Sequence, residues 1–184
     1  MWLSPAVSLG ETELGVQVPQ YRHRLAFVGS WQHGYHPEWT HRRELVDWLL
    51  KNYQFDIAFW PRPGQNAIRG EELRNLYAST DVIIGDSCLA GDATHYWSDR
   101  IPETVGRGGF LLHPAVEGLE EQYTVGEHLW TWPIGDWGAL KQVIESAWAS
   151  PDAIAEVRVL GREHVRKHHT YDVRVNQIRE IAGV

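Results

Sequence analysis

The segment Tyr96-Trp-Ser-Asp-Arg-Ile-Pro-Glu-Thr-Val-Gly-Arg-Gly-Gly109 concentrates residue types that can handle an anion. Ser98 is a good helix N-cap and Pro102 fits a first turn, so a short helix is predicted from Ser98 to about Gly106. On that helix Ile101, Thr104 and Val105 share the buried face, while Arg100, Glu103 and Arg107 share the other. The start of such a helix offers free amides and the positive end of a dipole. Arg100 would add a charge-assisted contact to phosphate, and Glu103 would offer two acceptor oxygens to a diol. The plainer alternative is a surface pair, because Glu103 and Arg107 stand at i, i+4 in the favourable order. Spacing alone leaves both readings open.

Other candidates weigh less. Asp86 ends an apolar run, where such a residue more often caps a turn than does chemistry. Glu117, Glu120 and Glu121 read as a solvated helix face before they read as an acid–base pair. Gly118 leaves the amides that follow it accessible, which would suit phosphate. The ten histidines show no tight ligand spacing: His33, His36 and His41 cluster loosely, and His168-His169 end a helix, where a cation suits the dipole. No metal site is expected. Cys88 lacks a redox motif and reads as a buried, inert thiol. Neither phosphate-loop signature is present, nor a nucleophile elbow.

The elements that must position these residues follow from the apolar rhythm. Strands are predicted at 25–29, 56–60, 81–86, 110–113 and 128–132. Helices are predicted at 40–52, 71–79, 98–106, 137–148, 151–167 and from 170 or 172 to 181, with a helical turn at 118–123. Short apolar strands alternating with amphipathic helices imply βαβ units. The expected fold is therefore α/β and Rossmann-like: a mostly parallel sheet of about five or six strands with helices on both faces. Ligands of such sheets bind at the carboxyl ends of the strands, here Gly29–Trp31, Trp60–Arg62, Asp86–Ser87 and His113–Pro114. Residues 1–20 read as an extended lead-in and 21–184 as one domain.

Composition narrows the function classes. The 17 Lys+Arg against 24 Asp+Glu give a net charge of −7, which argues against a general nucleic-acid binder. No stretch is long and apolar enough to span a membrane, no signal peptide opens the chain, and a single cysteine suits a reducing compartment. A cytoplasmic location is expected. Ten tryptophans in 184 residues are unusual. Some should sit half-exposed, at a ligand cleft or beneath a second domain, a partner chain or a homodimer mate.

Taken in order, Leu25-Ala-Phe-Val-Gly-Ser-Trp31, Leu73-Arg-Asn-Leu-Tyr-Ala-Ser-Thr-Asp-Val82, Ser98-Asp-Arg-Ile-Pro-Glu-Thr-Val-Gly-Arg-Gly-Gly-Phe-Leu-Leu112, Gly118-Leu-Glu-Glu-Gln-Tyr123 with Gly126-Glu-His-Leu129, and His169-Thr-Tyr-Asp172 resemble the C-terminal half of GT-B glycosyltransferases, specifically the CgeB-like group. The resemblance runs from Trp2 to the end. It implies the domain that binds a nucleotide-diphosphate-sugar donor, without metal or other cofactor, for glycosyl transfer to an unknown acceptor. By position it implies Glu103 on the donor ribose, Arg100 on the same short helix, and Gly29 and Ser30 near the phosphates. Gly118 and Leu119 would form the turn whose amides meet the diphosphate, beside the helix start at Ser98. The Trp60–Pro63 loop, with Arg62, would lie near the base. Two departures stand out. Tyr96 occupies a position where the family often has a second glutamate, and the N-terminal domain that supplies the acceptor site has no counterpart here. The alternative is a nucleotide-binding or interaction module without catalysis. A flavodoxin-like regulator is disfavoured, since Gly29-Ser30 is not the acidic cluster it would want.

Overall fold

Five short apolar runs become the strands of one sheet: β1 (Leu25–Val28), β2 (Ile57–Trp60), β3 (Val82–Ile84), β4 (Leu111–Pro114) and β5 (Trp130–Trp132). The structure, a computed structural model, describes residues 3–31, 40–87 and 95–183. The strand order is β2-β1-β3-β4-β5, and every neighbouring pair is parallel. The helices are α1 (Thr40–Tyr53), α2 (Gly70–Ser79), α3 (Arg100–Gly106), α4 (Trp137–Ala149), α5 (Pro151–His168) and α6 (Tyr171–Ala182).

The period-two alternation of the strands divides the core into two layers. Leu25 and Phe27 pack with Leu45 and Leu49 of α1 and with Leu140 and Ile144 of α4. Ala26 and Val28 point the other way, among Leu76 and Tyr77 of α2 and Ile101 and Val105 of α3. Covered on both faces, β1, β3 and β4 are buried along their whole length, which explains the unbroken apolar sequences of β1 and β3; β4 buries His113 as well. This is the expected Rossmann-like α/β fold. Because β1 connects to β2 on one side and the chain then crosses to β3 on the other, the connections diverge between β1 and β3. A crevice opens at such a point beyond the carboxyl ends of the strands.

Local differences from expectation have local causes. The helix expected from Ser98 begins at Arg100, and Ser98 Oγ accepts from the Arg100 amide at 3.2 Å from just outside it. The turn expected at 118–123 is a short 3₁₀ turn, Leu119–Glu121. The first twenty residues are not simply extended. They carry 3₁₀ turns at Leu9–Thr12 and Pro19–Tyr21, the first fastened by Glu11, whose carboxylate accepts from Ser8 Oγ at 3.0 Å. Val7 is only 1% exposed and forms a parallel bridge to Thr170. Arg174 Nε donates to the Ser4 carbonyl at 2.8 Å, so both ends of the described chain are clasped together.

Of the ten tryptophans, Trp2 and Trp39 lie outside the described residues. Trp60, Trp97 and Trp132 are buried, and Trp31, Trp48, Trp130, Trp137 and Trp148 are half-buried. The half-buried indoles solve their polar problem locally: those of Trp31, Trp130 and Trp148 donate to the carbonyls of Pro61, Gly126 and Arg24. Trp48 and Trp137 stack at 5.8 Å between α1 and α4. The described tryptophans thus fill seams between elements, and none is fully exposed. Among the described residues no helix is long and apolar enough to cross a membrane.

Candidate functional site

Two adjoining cavities open at the β1–β3 crevice. One, of about 250 Å³, lies between the ends of β1 and β3 and the start of α3; Gly29, Ser30, Asp86, Tyr96, Ser98 and Arg100 line it. The other, of about 420 Å³, extends toward the loop after β2 and is lined by Trp31, Pro61, Arg62, Ile68 and Arg69. Gly29, Ser30 and Arg100 belong to both, so the cavities form one continuous groove. Of the residues singled out from sequence, Gly29, Ser30, Arg62, Ser98 and Arg100 meet in this groove.

Glu103 adjoins the groove through Arg100: Arg100 Nη1 donates to Glu103 Oε2 at 2.9 Å. Burial pushes the Glu103 carboxyl up from its ordinary value, outweighing the Arg100 charge that pulls it down. The Glu103–Arg107 side-chain pair is not formed. Arg107 ends α3 and leaves its helical face; it donates to the Glu103 carbonyl at 2.9 Å and to Glu11 Oε1 at 2.7 Å. An arginine that caps the last carbonyls of a helix cannot also sit on the exposed face one turn back.

Gly118 and Leu119 line neither cavity. Gly118 holds a positive φ of 87°, and its missing side chain leaves room for His95, whose ring would lie 2.5 Å from a Cβ there. The Leu119 amide donates to the Val116 carbonyl at 3.1 Å, and its side chain is buried. Glu117, Glu120 and Glu121 are exposed, as a solvated face requires.

Asp86 gains a definite role. Its carboxylate, 1% exposed, accepts from Arg42 Nε at 2.8 Å and faces His41 Nδ1 at 3.1 Å, both in the first turn of α1. Burial raises its pKa, but the His41 hydrogen bond and the Arg42 charge prevail and hold it below the usual carboxylate range. Sequence reasoning missed Arg42 and His41 because nothing local links them to a residue more than forty positions away. It also missed the pair formed by Ser87 and His113, whose Oγ and Nε2 stand 2.9 Å apart in the wall behind Ser98. Ser87 in turn accepts from the Ser98 amide at 3.0 Å.

The other candidates resolve differently. His169, expected as a cation at a helix end, is 2% exposed; burial, aided by Arg174, pushes it down to about 3, so it is neutral. Only His168 of that pair is exposed. His33, His36 and Cys88 lie outside the described residues. Among the described residues no group of three or more His, Cys, Asp or Glu side chains is arranged to hold a metal ion.

The groove thus combines an apolar wall (Trp31, Pro61, Ile68) with guanidinium groups in a chain whose net charge is −7. Arg62 and Arg69 form no ion pair among the described residues, and Arg62 lies 4.8 Å over the Trp60 ring. Such a site can hold a flat, partly apolar group and, beside it, a multiply charged anion.

The fold recurs in solved glycosyltransferases. Sucrose-phosphate synthase from Thermosynechococcus elongatus superposes with a TM-score of 0.68 at 17% identity, over 97% of this chain and 50% of that one. A glycosyltransferase from Rickettsia africae gives 0.65 at 14% identity, over 96% and 55%. Anabaena HepE, solved in complex with UDP-glucose, gives 0.66 at 11% identity, over 97% and 56%. The chain spans about half the length of these proteins. No curated protein sequence matches it. The family described as glycosyl transferase-like matches residues 18–180, nearly the whole chain, and the protein belongs to that family.

Proposed function

We propose that this chain is the donor-binding half of a glycosyltransferase, taking a nucleotide-diphosphate sugar in the β1–β3 groove for transfer of the glycosyl group to an acceptor. The observation that carries the reading is the groove itself: a cavity where Trp31, Pro61 and Ile68 stand beside Arg62 and Arg69, continuous through Gly29, Ser30 and Arg100 with a second one, at the divergence point of a parallel sheet. Trp31, Pro61 and Ile68 would face the base, and Arg62, Arg69 and Arg100 the diphosphate. Glu103, freed from Arg100, would accept from the ribose hydroxyls. The UDP-glucose complex of a protein with the same fold supports this class of donor.

Transfer breaks the bond between the anomeric carbon and the diphosphate oxygen, and negative charge grows on the leaving group. Guanidinium groups along the groove would stabilise that charge more in the transition state than in the ground state. On this reading no metal is required, the acceptor site lies on a second domain or partner, and the donor pool places the reaction in the cytoplasm.

The test is calorimetric titration of the chain, without metal, with uridine, guanosine, adenosine and thymidine diphosphates and their sugar conjugates. Binding of one base, lost in Arg100→Ala, supports the reading. Binding that persists with no transfer, even alongside a supplied acceptor domain, favours a non-catalytic module. No binding of any nucleotide refutes the donor site.

A further inference from the structure

The wall behind Ser98 holds a chain of hydrogen bonds whose protons have a single consistent arrangement. His113 Nδ1 lies 2.8 Å from the Pro114 carbonyl, which only accepts, so Nδ1 carries the proton and Nε2 is left as a lone pair. The Ser87 hydroxyl, 2.9 Å away, must therefore donate to Nε2. With its proton committed, Ser87 Oγ accepts from the Ser98 amide at 3.0 Å. Ser98 Oγ accepts from the Arg100 amide at 3.2 Å and gives its own proton to Asp99 Oδ1 at 3.1 Å. His113 and Ser87 are completely buried, so no water competes for these groups. The imidazole also lies against Gly85, where a Cβ would come within 3.0 Å of its Cδ2.

We propose that His113 is a positioning residue for the donor groove, acting through Ser87 and Ser98 to fix the start of α3 and with it Arg100. The proposal rests on the donor-site reading above. The chain joins β4, the end of β3 and the start of α3, and it terminates on the one arginine shared by both halves of the groove. A protonated imidazole would undo it. Nε2 would then donate to Ser87, and the serine proton would lose its acceptor. Burial, which pushes His113 down to about 4, keeps the imidazole neutral in ordinary buffers. The charged groups felt at the ring are Asp86, which favours the proton, and His41, which opposes it.

The test compares wild type with Ser87→Ala, Ser87→Thr and His113→Gln. Two readouts are used: hydrogen exchange at the Ser98 amide, and the dissociation constant for the nucleoside diphosphate that wild type binds best. Ser87→Ala is expected to speed exchange at Ser98 and to weaken binding about three- to tenfold, the scale of one lost hydrogen bond, with a lowered melting temperature, because His113 Nε2 and the Ser98 amide lose their buried partner. Ser87→Thr keeps the hydroxyl, and His113→Gln keeps an acceptor near the Nε2 position; both should restore most of the affinity. Wild-type affinity in Ser87→Ala together with faster Ser98 exchange overturns the positioning role while leaving the donor site standing. Unchanged exchange overturns the hydrogen-bond chain itself. Failure of wild type to bind any nucleoside diphosphate overturns the donor-site reading, and the positioning role falls with it. Should Ser87→Ala not fold, His113→Phe, which removes the acceptor, takes its place: affinity in His113→Phe equal to that in His113→Gln refutes the proposal, and a loss in His113→Phe that His113→Gln restores supports it.

Discussion

Gly161, in the middle of α5, sits where that helix crosses α3, and its replacement by alanine probes what holds the arginine-bearing helix in place. A Cβ there would lie 2.5 Å from the His128 carbonyl oxygen and 2.7 Å from Val105 Cγ1. The first neighbour is backbone and the second belongs to α3, so neither yields without moving an element. Two effects oppose each other. Alanine in a helix interior is favoured over glycine by about 1 kcal/mol. Overpacking a closed contact costs about 1–3 kcal/mol, and here a carbonyl lies well inside contact distance, which sets the cost at the upper end. The net expectation is a loss of about 2 kcal/mol. Gly138 in α4 is the control: its nearest neighbour is Asp136 Oδ1 at 3.4 Å, so Gly138→Ala should be neutral or stabilising by a few tenths to about 1 kcal/mol. Urea unfolding of both variants, with equal m-values, gives the comparison. Gly161→Ala as stable as wild type would refute the close α3–α5 crossing.

Three further outcomes are expected. Glu103→Gln should weaken nucleotide binding by about 1–3 kcal/mol, the scale of a hydrogen bond to a charged acceptor. It should cost under about 1 kcal/mol of stability, because the Arg100 pair it breaks is part-exposed; unchanged affinity removes the ribose role. Asp86→Asn removes a 1%-exposed carboxylate that accepts from Arg42 and faces His41, and should cost about 2–4 kcal/mol. The wild-type carboxyl sits below its usual range, so its contribution is present at neutral pH and is lost as pH falls through the folded-state value. Asp86→Asn as stable as wild type at pH 7 would refute this. Finally, burial holds His169 near 3 and His164 near 4, with Arg174, His128, His168 and Lys167 adding repulsion. Both are neutral in the fold, whereas the unfolded chain takes up protons below its ordinary value of about 6.5. Stability should therefore fall as pH drops from about 6.5, by up to about 2 kcal/mol per histidine at pH 5. The slope of the urea midpoint between pH 7 and 5 measures this, and His164→Gln should flatten it; a pH-independent midpoint contradicts the neutral cluster.

How far the sequence could be read depends on the distance over which each feature is decided. The strands were legible because burial on both faces writes itself as continuous apolar runs such as Val82-Ile-Ile84. The helices were legible because Leu45, Leu49, Leu140 and Ile144 recur at helical spacing. Gly29, Ser30, Arg62, Ser98 and Arg100 could be gathered in advance, since all follow strand ends or open a helix, and a parallel sheet brings its carboxyl ends together. The order of the strands leaves no local trace, and without it the partners of buried polar groups cannot be assigned. Asp86 with Arg42, His113 with Ser87 and Arg107 with Glu11 are separated by 44, 26 and 96 residues. The Glu103–Arg107 expectation failed for the same reason. Local spacing offered one partner, and a distant glutamate offered a better one to an arginine already turned inward by the end of its helix.

The clasp between the two ends of the described chain bears on how the protein is made. Ser4 and Arg174 are 170 residues apart, and so are joined only when nearly everything between them exists. During synthesis the segment around Val7 leaves the ribosome before the sheet, whereas its bridge partner Thr170 emerges after it. The sheet, built from five strands in four neighbouring parallel pairs, can assemble before then. The segment around Val7, which is buried in the finished fold, must wait uncovered until the start of α6 arrives. In such a molecule the segment around Val7 is translated before the sheet and becomes native after it, and the interval between the two events is set by the stretch of chain that separates Val7 from Thr170.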